Sequence, residues 1–69
     1  MSKEMKFTVF CIENYKLHRA LSGKAVFRLF AEYDVFSYLR ECYDTLHTVG
    51  AEYLNRDIDE FLKVRGANL

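Results

Sequence analysis

The chain has 69 residues, 51% of them apolar and 16% aromatic, with ten Lys and Arg balanced by ten Asp and Glu. Zero net charge gains little from phosphate neutralisation, no apolar run reaches the roughly 18 residues of a transmembrane helix, and two cysteines give no disulfide framework. Such a length makes one domain, residues 1–69, that buries only roughly 60% of its unfolded surface, so some of the six Phe and five Tyr must lie at the surface as an interface for another protein or a second copy.

The absence of proline, with only three glycines, favours long helices with short joints. Ser2 is suited to cap a first helix, with Met5 three residues on and Glu4 in the first turn. Apolar positions follow at Phe7, Phe10, Cys11, Leu17, His18 and Leu21, broadened by Met5, Val9 and Ile12. An arc that wide predicts a helix covered on two sides. Ser22-Gly23 is expected to end it, with Ser22 capping the next helix.

The second helix is expected over residues 23–33, where Val26, Phe27, Leu29, Phe30 and Tyr33 form one face and Lys24, Arg28 and Glu32 the other. Asp34, with Ser37 three residues later, is read as the next N-cap. The third helix then carries Val35, Tyr38, Leu39, Cys42, Leu46 and Val49, with Gly50 as its left-handed terminator. Residues 51–56 are either a further helical turn or an extended connection. Asp57 with Glu60 reads as a capping box for a last helix edged by Ile58, Phe61 and Leu62 and closed by Gly66. The expected fold is all-α, a small bundle of three main helices and a shorter C-terminal one.

Charge is uneven along the chain. In residues 1–30, Lys3, Lys6, Lys16, Arg19, Lys24 and Arg28 stand against Glu4 and Glu13, an excess of four positive charges that residues 31–69 reverse. The plain reading is that the halves fold together and neutralise each other. The sharper one is a charged face offered to a partner.

Residues able to support chemistry are few. His18 and His47 have no second His or Cys three or four residues away, so a metal site would have to be assembled across helices with Cys11 and Cys42. Both cysteines lie in apolar helical stripes, which raises a thiol's pKa and hides it; they read as buried reduced thiols, with a cysteine-based redox sensor as a remote alternative. Asp57, Asp59 and Glu60 read as helix-start acids favoured by capping and the helix dipole. The three glycines are isolated and form no phosphate loop. Residues 22–39 have the lengths of a helix-turn-helix, yet Arg40 is the third helix's one cation, against Glu41 and Asp44. No catalytic, cofactor-binding or metal site is therefore expected. Tyrosines punctuate every segment, and Tyr suits half-buried interface positions. Tyr15, His18, Tyr43, Asp44 and His47 are the candidate interface residues.

Several blocks together resemble a bacterial family of short proteins of unknown function: Phe10-Cys11-Ile12-Glu13, Tyr15-Lys16, Ser22-Gly23 with Val26, Leu29 and Phe30, then Tyr38-Leu39, Tyr43-Asp44, Leu46-His47-Thr48, Gly50, and Asp57-Ile58-Asp59 with Phe61. The similarity spans residues 7–62, and the chain departs from it at Val49 and Ala51. The resemblance implies a helical fold and genes lying beside ADP-ribosyltransferase-like toxins, hence an antitoxin or accessory role. With no secretion signal in Met1–Lys6, a cytoplasmic interaction protein, homodimeric or bound to another protein, is the expectation; a DNA-associated helical regulator is the alternative.

Overall fold

In the computed structural model, which describes residues Met1–Leu69, five helices and no strands make up the chain, and about three quarters of its residues are helical. They are α1 (Lys3–Arg19), α2 (Gly23–Glu32), α3 (Val35–Glu41), α4 (Tyr43–Leu46) and α5 (Ala51–Val64). The all-α expectation holds. No helix is long and apolar enough to cross a membrane.

α1 is the spine: α2, α3 and α5 all pack against it. Ser2 caps it as expected, its Oγ accepting from the Met5 N–H at 3.1 Å. The helix stops earlier than the Ser22-Gly23 signal suggests. Ala20 turns left-handed (φ 55°), and the Leu21 N–H closes on the Lys16 carbonyl at 3.0 Å, a terminator that uses up otherwise orphaned carbonyls. Ser22 then caps α2 by accepting from the Ala25 N–H.

Three local expectations are corrected. Asp34 is no side-chain cap: it sits at φ 62° and serves as the left-handed joint between α2 and α3, a conformation Asp tolerates better than most residues. The single third helix is kinked at Cys42 (φ −100°, ψ 16°) into α3 and α4. Its hydrogen bonds continue through the kink, Cys42 N–H to Tyr38 O and Leu46 N–H to Cys42 O, both at 2.9 Å. Gly50 is extended rather than left-handed and serves as the N-cap of α5, while Gly66 is the glycine with positive φ (89°).

The ambiguous residues 51–56 are helical, so Asp57 lies in the middle of α5 and forms no capping box. The reason is packing. Leu54, Ile58 and Leu62 recur every four residues and all are buried, so the helix must extend back far enough to bring Leu54 into the core. The core is completed by Phe7, Cys11 and Tyr15 of α1, Val26 and Phe30 of α2, Val35 and Leu39 of α3, and Leu46 of α4. Phe10, Leu17 and Leu21, read as part of the apolar stripe of α1, are exposed.

Candidate functional site

The five candidate interface residues separate into two places on α1. Tyr15 and His18 lie near its C-terminal end, against α5. Tyr43, Asp44 and His47 belong to α4 and its following turn, and Tyr43 meets Phe7 two turns earlier on α1.

At the first place, Asp59 of α5 gathers three side chains from one face of α1. Its Oδ1 accepts from the Tyr15 hydroxyl at 2.5 Å and from Arg19 Nε at 3.0 Å and Nη2 at 2.9 Å; its Oδ2 lies 2.7 Å from His18 Nε2. An ionised carboxylate only accepts, so Nε2 of His18 carries the hydrogen. Burial opposes charge on Asp59, but hydrogen bonds from Tyr15, His18 and Arg19 outweigh it and hold the carboxyl below its ordinary value. Arg19 is raised in turn, first by its hydrogen bond to Asp59. The Tyr15 hydroxyl is raised by burial and then by the same carboxylate.

Tyr15 is wholly buried, which corrects its reading as an interface residue: its ring packs against Phe30 at 5.4 Å and has no face left for a partner. A parallel arrangement joins α3 to α5, where the Tyr38 hydroxyl donates to Asp57 Oδ2 at 2.6 Å and its ring stacks on Phe61 at 4.2 Å. Asp57 and Asp59 are thus fasteners between helices, not the helix-start acids the sequence suggested. Arg19, Tyr38, Asp57 and Asp59 were missed as a set. The spacing of Tyr15, His18 and Arg19 on one helix face was visible in the sequence, but their common acceptor lies 40 to 44 residues away.

At the second place, Tyr43 is half-buried with its ring edge-on to Phe7, and His47 stacks on it at 4.3 Å and 3°. Lys3 Nζ lies 5.7 Å over the same Tyr43 ring. Lys3, Lys6, Phe10, Tyr43, His47 and Val49 line a shallow depression of about 390 Å³ together with Phe7. Asp44, next to Tyr43 in the chain, is exposed. Cations over aromatic rings suit an acidic or aromatic partner surface.

A third feature was not anticipated. Between α1 and the α2–α3 pair runs a groove of about 450 Å³. Met5, Val9 and Ile12 border it at spacings of four and three, the seam of a helix that pairs with another. Phe27 and Phe36 line its other side with their rings 5.1 Å apart, and Phe36 continues edge-on into buried Phe30 at 5.7 Å. Met5 is 53% exposed, Val9 43% and Phe27 57%. The arc on α1 that predicted cover on two sides is therefore left partly bare.

The thiols differ. Cys11 is buried, and that burial pushes its pKa up to about 12. Cys42 is half-buried at the α3–α4 kink. Among His, Cys, Asp and Glu side chains, no group of three or more is arranged to hold a metal ion.

The ion pairs that join the basic and acidic halves all end on Asp59; the other two, Lys16–Glu13 and Arg56–Glu52, lie within one half each. Neutralisation between the halves therefore runs through one carboxylate, and most of the charge dipole is left unpaired.

A family model described as a protein of unknown function (DUF3791) matches residues 6–65. No curated protein and no solved structure matches the chain.

Proposed function

Since the chain belongs to the DUF3791 family, whose description assigns no activity, we propose from the molecule itself that it is a non-enzymatic protein-interaction module. The observation that carries this reading is the apolar surface left uncovered on both flanks of α1: Met5 and Val9 with Phe27 on one side, Phe10 beside the Tyr43–His47 stack on the other. Contiguous apolar surface on a body of 29 × 22 × 20 Å is costly unless something covers it. The unpaired charges around it favour a partner with complementary charge. The raised pKa of Cys11 supports the non-enzymatic part of the reading, because a thiol at about 12 is almost entirely protonated at neutral pH and is a poor nucleophile.

The narrower reading, an antitoxin or accessory subunit for an ADP-ribosyltransferase-like toxin, rests on the family resemblance. Co-expression of the tagged chain with an adjacent toxin-like gene product, followed by weighing of the eluted complex, tests both levels. The expected result is a stoichiometric complex that Phe10→Asp weakens at least about tenfold, the cost of placing a charge in an interface. A chain that binds neither this product nor itself at high micromolar concentration would overturn the interaction reading.

A further inference from the structure

We infer that the groove between α1 and the α2–α3 pair receives a second copy of this chain, making the protein a two-fold symmetric dimer. This rests on the interaction reading above and names the partner for one of its two surfaces.

The shape of the surface is self-complementary. Exposed Met5 and Val9 on α1 form one wall of the groove, and exposed Phe27 with half-buried Phe36 forms the other. A two-fold axis lets an exposed wall of each copy enter the groove of the other, so one surface supplies both knob and hole. Its charge is self-complementary too. Glu4 of α1 and Arg40 of α3 both line the groove, and neither has an ion-pair partner within the chain. The same axis can set Glu4 of each copy against Arg40 of the other. A partner of different sequence would require neither an exposed wall beside a groove of its own nor one charge of each sign. Zero net charge adds no long-range repulsion between copies. The Phe10–Tyr43 surface lies on the other flank of α1 and stays free for a different protein.

The test is the solution mass of the full chain by sedimentation between about 1 μM and 1 mM, with circular dichroism to confirm folding of each variant. The wild type is expected to dimerise in that range. Val9→Glu and, separately, Phe27→Ser are expected to keep wild-type helicity, because both side chains are exposed, and to weaken the dimer at least about thirtyfold. Glu4→Arg or Arg40→Glu alone is expected to weaken it about five- to tenfold, and the chain carrying both to return within about twofold of the wild type. A wild type that stays monomeric throughout overturns the inference, as does a dimer indifferent to Val9→Glu and Phe27→Ser. A double charge variant no tighter than the singles overturns the two-fold arrangement. A monomer that still binds the toxin-like product through Phe10 overturns this inference and leaves the interaction reading standing, whereas a monomer that binds nothing overturns both.

Discussion

Asp59 illustrates how one residue can hold two long helices together. Four hydrogen bonds from Tyr15, His18 and Arg19 converge on two oxygens in a position only 15% exposed. Hydrogen bonds to a charged group are worth about 1.5–3 kcal/mol, and an amide in place of the carboxylate removes the charge and sets an N–H donor against the donors that met one of its oxygens. Asp59→Asn should therefore cost about 2–3 kcal/mol, which in a domain of this size lowers the melting temperature by about 10 °C or more. Tyr15→Phe should cost less and should be non-additive with it, since the two share one bond. Melting temperatures within a degree of wild type would show that the node contributes nothing. Because the native carboxyl is held below its ordinary 3.8, the folded state binds fewer protons there than the unfolded one. The stability it provides is full above that value and lost as pH falls through the native pKa. Denaturant midpoints of wild type and Asp59→Asn should thus differ at neutral pH and converge on acidification below about 3.8.

Helix ends decide how the elements are joined. Two joints use non-glycine residues in the left-handed region: Ala20 at φ 55° closing α1, and Asp34 at φ 62° between α2 and α3. For Ala20, whose side chain offers the backbone nothing in return, that conformation costs about 1 kcal/mol. Ala20→Gly should relieve it and, after the extra entropy of glycine in the unfolded chain, raise stability by about 0.5 kcal/mol, visible as a melting temperature higher by a few degrees. A lower melting temperature would mean that Ala20 contributes packing the left-handed turn does not account for. Asp34 needs no such relief, because Asp is among the residues that tolerate this region. The kink at Cys42 has a different consequence: it sends Leu46 inward and lets Tyr43 rest on Phe7, so the seam read as one helix becomes two short pieces with separate tasks.

The whole molecule rests on eleven buried residues, and a body this small has little stability to spare. Leu46 is the only buried residue of α4. Leu46→Ala should cost about 2–5 kcal/mol, a large share of the total, and detach the α4 segment with its Tyr43–His47 stack. An unchanged unfolding midpoint would remove Leu46 from the core. Most of the architecture was legible in advance because it depends on local pattern. Three-to-four-residue spacing of apolar side chains marked Phe7, Cys11, Val26, Phe30, Leu39, Leu46, Ile58 and Leu62, and Ser2 and Ser22 signalled their helices through caps that act within three residues. Family membership followed from the same order of residues. The exposed apolar surface was less legible. Phe7 and Phe10 look alike in an apolar stripe, yet one is buried in the core and the other bare, because which side of α1 meets a neighbour depends on where α2, α3 and α5 dock. Asp57 and Asp59 looked like a helix start until Leu54, buried by tertiary contact, drew the helix back to Ala51. Amino-acid order sets helix periodicity and caps through interactions a few residues long, whereas the Asp59 node and the Met5 groove are made by residues far apart in the chain and exist only once the helices have packed.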